Sequence, residues 1–240
     1  MLLKGKQAVF FDVDDTLYDH LAPFRTAVEQ AAGADGMFPY EEAYHRLRYY
    51  SDTLSAELGG TEAMEAAGRL EWMRSERFRR TLGEFGMELS EQEAAAVQAA
   101  YIGCQYRFDM FPGARELIGR LKEAGHVVGL ITNGAGAHQQ KKIDSMQLEE
   151  LIPAELQFIT GVVGWDKPDR RIFDHVCGLT GVAPEDSCYI GDSWRNDVIG
   201  ALGAGWTAIW LNHRHQQPET AHKPHHIASS YEELSRLLLG

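Results

Sequence analysis

An α/β fold with a parallel sheet, interrupted early by a helical insert, is what this 240-residue chain predicts. Three observations predict it. The run Ala8-Val9-Phe10-Phe11 is a short apolar stretch ending in acid at Asp12, as a strand buried on both faces does. From Leu17 to about Arg107 the apolar residues then fall at helical spacing. Beyond Phe111 strand-like and helix-like runs alternate, the signature of βα units in a parallel sheet with right-handed crossovers.

The elements follow in order. A helix over His20–Ala32 is ended by Gly33 and the Asp35-Gly36 turn. A second, Tyr40–Leu58, carries Tyr40, Ala43, Tyr44, Leu47, Tyr50, Leu54 and Leu58 at helical spacing and stops at Gly59-Gly60. A third runs over Thr61–Phe85 with Leu70, Met73, Phe78 and Leu82 inside. The capping box Ser90-x-x-Glu93 opens a fourth that reaches about Arg107. The expected domains are a core of residues 1–17 and 109–240 and an inserted helical bundle of residues 18–108. Within the core, helix Ala114–Ala124 leads to strand His126–Thr132, helix Gln139–Met146 and strand Phe158–Gly161. Helix Arg170–Leu179, strand Ser187–Ile190, helix Asn196–Leu202 and strand Trp206–Leu211 come next. A short strand near Ile227 and a helix opened by Ser230-x-x-Glu233 close the chain.

Composition bounds the function. A hydrophobic content of 44% supplies a core, and a net charge of −12 with thinly spread Lys and Arg argues against duplex nucleic acid or anionic membrane as partners. Cys104, Cys177 and Cys188 form no C-x-x-C pair, so neither a disulfide framework nor a zinc site is expected. With no signal peptide or membrane-spanning run to read, the expectation is a cytoplasmic protein, monomer or homodimer, acting on a small molecule.

The chemistry-bearing residues cluster where strands of this core should end. Asp12 and Asp14 are two apart, so on extended backbone they share a face, and such a pair repels unless it meets a cation or shares a proton. Taken alone, the stretch also fits a strand running into an Asx-type turn. Thr132-Asn133-Gly134 brings a hydroxyl, an amide and backbone N–H groups to a strand-to-helix turn, which suits phosphate oxygens, although a capped turn reads the same way. Lys167-Pro168 opens a helix, and a pocket of carboxylates and phosphate requires such a cation. Gly191-Asp192 through Asp197 again sets acids at a strand's carboxyl end, a pattern that suits Mg2+.

These residues, in this order, resemble the haloacid dehalogenase superfamily of phosphotransferases. Asp12-x-Asp14-x-Thr16, Thr132, Lys167 and Gly191-Asp192-x-x-x-Asn196-Asp197 match its four motifs. The resemblance implies a Rossmann-like sheet with a helical cap inserted after the first strand. It implies Asp12 as nucleophile and Asp14 as acid and base. Thr132, Asn133 and Gly134 would hold phosphate and Lys167 would offset charge. Mg2+ would be held by Asp12, the Asp14 carbonyl and Asp192, with Asp197 orienting that shell. Asp14 sets the chain apart from the dehalogenases, which lack this second aspartate.

The run Trp210 to Pro218, with Ile131-Thr132-Asn133-Gly134 and Ile172-Phe173-Asp174, is similar to bacterial pyrimidine 5′-nucleotidases. That similarity implies a nucleoside monophosphate substrate. Phosphoglycolate, a sugar phosphate, or phosphate binding without catalysis are the alternatives. His213, His215, His222, His225 and His226 read as a solvated loop, since their spacing fits no regular metal site. Tyr44, Tyr49 and Tyr50 read as helix packing. Tyr18 and Trp194 flank the motifs and suit either packing or substrate contact.

Overall fold

The N-terminal apolar run forms β1 (Ala8–Phe11), every residue of it buried. The computed structural model describes residues 2–3, 7–106 and 108–240. By its internal contacts the chain divides into two compact units, Met1–Asp19 with Asp109–Gly240, and His20–Phe108.

The helical unit contains α1 (Leu21–Ala32), α2 (Tyr40–Glu57), α3 (Gly60–Ala66), α4 (Leu70–Glu84) and α5 (Glu91–Cys104). The third expected helix is two helices. Gly68 adopts φ 64°, a left-handed conformation that glycine takes without steric cost, and the chain turns there before α4. Arg107, to which the fourth helix was expected to reach, lies outside the described residues, and α5 ends at Cys104. The capping box at Ser90 is present in both halves: its side chain accepts from the Glu93 N–H and the Glu93 carboxylate accepts from the Ser90 N–H. Phe24, Tyr44, Leu47, Phe78 and Tyr101 form the centre of this unit, with Phe24 stacked on Phe78 at 6.0 Å. Tyr44 is therefore core. Tyr49 is exposed under the Arg46 guanidinium and is a surface residue rather than packing, whereas Tyr50 is part-buried, packs against Leu54, Met64 and Met73 as expected, and donates to Glu84.

The other unit continues through α6 (Ala114–Glu123), β2 (Val127–Thr132), α7 (Gly136–Ser145), β3 (Gln157–Ile159) and α8 (Thr160–Val163). Then come α9 (Arg170–Thr180), β4 (Ser187–Gly191), α10 (Gly200–Ala204), β5 (Thr207–Leu211), β6 (His226–Ala228) and α11 (Tyr231–Leu239). The strand expected to reach Gly161 stops at Ile159, because Thr160 already begins the single turn α8. The helix expected from Asn196 starts earlier, as a π-helical turn over Trp194–Ile199 that runs into α10. Among the described residues the sheet has six strands, all parallel, in the order β3-β2-β1-β4-β5-β6. The α/β parallel-sheet expectation holds.

On one face of this sheet Phe10, Phe158, Phe173, Tyr189 and Trp206 pack as a buried aromatic group under α9 and α10. Gly129 makes this possible. It sits opposite Phe10 in the β1–β2 register, and a Cβ there would overlap the Phe10 ring and come within 2.6 Å of the Leu156 carbonyl oxygen. Gly129→Ala is expected to destabilise the protein by about 1–3 kcal/mol through overpacking. The check is urea unfolding, where the midpoint should fall at unchanged m-value; an unmoved midpoint would contradict the packing argument.

Candidate active site

Strand order places the site. β1 lies between β2 and β4, so the crossovers diverge on either side of it, and this is the switch point beyond whose strand ends ligands bind in open parallel sheets. Asp12 follows β1 directly and its N–H donates to the Ile190 carbonyl at 2.9 Å, which extends the ladder to the carboxylate itself. Asp192 follows β4. The Thr16 hydroxyl joins the two, 3.3 Å from Asp12 Oδ2 and 3.3 Å from Asp192 Oδ1, while accepting from the Asp192 N–H.

Lys167 is the cation of this cluster. Its Nζ lies 2.8 Å from Asp12 Oδ1, 2.7 Å from Asp197 Oδ1 and 2.6 Å from the Tyr189 hydroxyl, which uses all three ammonium hydrogens. Two side chains fix it there. Asn133 pairs with the Lys167 backbone in both directions, accepting from its N–H and donating to its carbonyl at 2.9 Å each. Tyr189, on β4, donates to the Ile131 carbonyl at 2.6 Å. Asp197 Oδ2 accepts the Ser193 N–H at 2.9 Å, and its carboxyl fills the space where Gly191 has no side chain.

Asp14 faces other partners. Its carboxylate accepts from Lys142 Nζ at 2.8 and 2.7 Å, from the Tyr18 hydroxyl at 2.6 Å and from Gln139 Nε2 at 2.9 Å. Thr132 is buried at the end of β2, and its hydroxyl oxygen has no hydrogen-bond partner among the described residues. The Gly134 N–H donates to Thr160 Oγ1 at 3.2 Å, and that hydroxyl donates in turn to Asp166.

Three carboxylates against one ammonium leave the cluster negative. Burial pushes the Asp12 carboxyl up to about 6; Lys167 pulls it down, and Asp197 and Asp14 push it up again. Burial alone would lower the Lys167 ammonium, but Asp12 and Asp197 outweigh it and hold it above the usual lysine range. Tyr189 is held well above the usual tyrosine range by burial and then by Asp197 and Asp12, so it remains a phenol that can donate.

One oxygen from each of Asp12, Asp192 and Asp197 lies within 4.8 Å of the others, an all-oxygen set that suits a hard divalent cation. The fit to Mg2+ is good on charge and donor type. Asp197 belongs to this group geometrically, although both its oxygens are engaged by Lys167 and Ser193.

The sequence did not point to Lys142, Gln139, Tyr189 or Arg214. Arg214 grips Asp15 in two hydrogen bonds, at 2.7 and 2.6 Å, and also reaches Asp19 at 2.8 Å. Tyr18 is fully buried, and Trp194 packs on Trp210 with its indole N–H donating to Thr220, so both flanking aromatics are packed. Among the described residues the acidic, His or Cys side chains grouped to hold a metal are Asp12, Asp192 and Asp197. All three cysteines are free thiols, and no helix of the described residues is long and apolar enough to cross a membrane.

Fold and site together define a class: a Rossmann-like core with paired aspartates after its central strand and a buried lysine set between Asp12 and Asp197. The chain belongs to the haloacid dehalogenase-like hydrolase family, which it matches over residues 6–205. It is 29% identical to a phosphoserine phosphatase of Thermus thermophilus over 89% of its length and 92% of that protein. It is 27% identical to a glyceraldehyde 3-phosphate phosphatase of Pyrococcus furiosus over 86% of its length and 81% of the relative. The pyrimidine 5′-nucleotidase YjjG of Escherichia coli is 33% identical over 53% of this chain and 56% of its own. Among solved structures, the HAD-hydrolase YfnB of Bacillus subtilis, bound to magnesium, shares the fold with TM-score 0.71 and 22% identity over 99% of this chain and all of that one. A dehalogenase shares it with TM-score 0.76 and 20% identity over the full length of both chains.

Proposed function

We propose that this chain is a phosphomonoester hydrolase that works through an aspartyl-phosphate on Asp12. The observation that carries the reading is the buried Asp12 carboxylate, held on one oxygen by Lys167 and set 4.8 Å or less from Asp192 and Asp197. A buried nucleophile with a fixed cation beside it is arranged for attack on an anionic ester. The buried, unpartnered Thr132 hydroxyl supports phosphate as the group received, because buried polar atoms ordinarily find a partner. Near-full-length relatives that are phosphatases support the same reading.

Asp12 attacks phosphorus, and the bond to the leaving oxygen breaks with its electron pair on that oxygen. Asp14 supplies the proton that makes it an alcohol. Water then attacks the same phosphorus, Asp14 takes the water's proton, and the phosphorus–oxygen bond to Asp12 breaks to restore the carboxylate. Thr132 and the Asn133 N–H hold phosphate oxygens and Lys167 offsets their charge, whereas the Gly134 N–H, expected to join them, is already given to Thr160. Asp12, the Asp14 carbonyl and Asp192 would hold Mg2+, with Asp197 orienting them. The ion, when bound, supplies the positive charge that lets a phosphate dianion approach several carboxylates.

Asp12→Asn is expected to leave a folded protein with turnover of an aryl phosphate reduced at least a thousandfold, since an amide is a poor nucleophile. Near-normal turnover would end the covalent reading. Mg2+ titrated into metal-free protein should raise the thermal unfolding temperature, as any ligand of the native state does. Asp192→Asn should abolish most of that rise. No shift in the wild type would remove Mg2+ from the proposal.

For the substrate we favour a pyrimidine nucleoside monophosphate, on the sequence similarity to the 5′-nucleotidases and the match to YjjG over half the chain. The Trp210 to Pro218 run, part of that similarity, is engaged within the core. The Trp210 indole N–H donates to the Asp192 carbonyl at 2.8 Å, and His213 and Arg214 hold Asp15. A second reading, a small three-carbon phosphoester, is favoured by the relatives that match along nearly the whole chain. The discriminating measurement is kcat/KM for dUMP against dAMP, phosphoserine, glyceraldehyde 3-phosphate, β-glucose 1-phosphate and phosphoglycolate. The nucleotidase reading requires dUMP to lead by tenfold, about 1.4 kcal/mol. A triose phosphate or phosphoserine leading by that factor selects the second.

A further inference from the structure

We propose that Lys142, with Gln139 and Tyr18, forms a cradle that fixes the Asp14 carboxylate for proton transfer, so that Lys142 is a positioning residue of the reaction. The inference rests on the phosphatase reading and goes beyond it, since that reading assigns Asp14 a task without saying what aims it.

The geometry is that of a built site. Lys142 and Gln139 are each 2% exposed and Tyr18 is fully buried. A carboxylate has about four acceptor positions, two on each oxygen. Here Lys142 reaches both oxygens, Gln139 takes a second position on Oδ2, and Tyr18 meets Oδ1 through a hydroxyl that donates to the carboxylate and can turn to accept when Asp14 carries the proton. Lys142 and Gln139 are three residues apart on α7, so one face of that helix presents both donors. Gln139 also donates to the Asn133 carbonyl at 2.8 Å, which ties the cradle to the loop after β2. Tyr18 is tied to the same turn as Asp14 by backbone bridging.

Burying an ammonium is costly, and an apolar residue of similar volume often stabilises as well or better. A buried lysine clamped on the one aspartate that must exchange protons is therefore better explained by positioning than by stability. Asp14 has its own cation, separate from Lys167, and each aspartate keeps a fixed orientation although only one residue separates them.

The two chemical steps make the idea testable, because nitrophenolate departs without a proton whereas an alkoxide does not. Lys142→Met is examined with enzyme in excess, in Mg2+, following nitrophenolate release from p-nitrophenyl phosphate as the first step. Steady-state turnover of the same ester and of glycerol phosphate is measured alongside, with circular dichroism to confirm folding. The expected result is first-step release within threefold of wild type. Steady-state kcat should fall at least thirtyfold on both esters; for the nitrophenyl ester KM should fall with it, leaving kcat/KM within threefold of wild type, whereas for glycerol phosphate kcat/KM should fall as well. Tyr18→Phe, which leaves the ion pair, should show the same pattern at three- to tenfold and decides the matter by pattern if Lys142→Met does not fold. Equal loss of both steps, or no loss in either, overturns the cradle. Absence of turnover in the wild type, or its survival in Asp12→Asn, overturns instead the phosphatase reading on which the cradle depends.

Discussion

The site is governed by the burial of like charge. Asp12 and Asp197 are almost without solvent and Asp192 is beside them, and water cannot screen their repulsion there. One buried ammonium, that of Lys167, holds the arrangement together, and removing one partner from such a pair costs about 3–5 kcal/mol because the other is left uncompensated. Much of the surrounding structure serves to keep Lys167 in place. Asn133 clamps its backbone, Tyr189 takes its third hydrogen, and the Tyr189 hydroxyl is anchored on the strand that ends in Thr132. Three strand ends, β1, β2 and β4, thus converge on one lysine.

That convergence explains which parts of the molecule were legible in the sequence. β1 could be read to the residue because four apolar side chains in a row meet acid where the strand ends. The order of the βα units followed from alternating periodicity, and the Ser90 capping box from its spacing. The aspartates and Lys167 were legible because acids at strand ends, in that order, are rare by chance and match a known family.

What was not legible has one physical cause. A buried polar residue that is fully paired looks, in sequence, like a solvated one. Lys142 and Gln139 sit in a stretch rich in Gln and Lys that reads as an exposed helical face, yet both are buried against Asp14. Tyr189 reads as one more core aromatic within β4, and only its hydroxyl geometry separates it from Phe173 beside it. Arg214 lies in a His- and Gln-rich loop, and its bidentate grip on buried Asp15 spans nearly the whole chain. The break at Gly68 is different, since a lone glycine inside a helical pattern is compatible with continuation and its left-handed φ appears only in the fold.

The turn after β1 brings these strands of argument together. Residues 12 to 19 carry both aspartates and must hold them without the support of a strand or helix. Asp15 takes a left-handed conformation, φ 60°, which Asp tolerates better than most residues. The exposed peptide groups this creates are answered from distant elements. The Tyr231 hydroxyl donates to the Thr16 carbonyl at 2.6 Å, His213 Nε2 meets the Asp15 carbonyl at 2.8 Å, and the Phe111 N–H donates to the Leu17 carbonyl at 2.8 Å. Side chains are answered likewise, Asp15 by Arg214 and Asp14 by Lys142. A turn restrained at so many points has little freedom left to lose when a ligand arrives. Donors and carboxylates already oriented are the condition under which electrostatic stabilisation is effective. The C-terminal loop and α11, remote in sequence and without acids in the cluster, thereby become part of what orients Asp12 and Asp14.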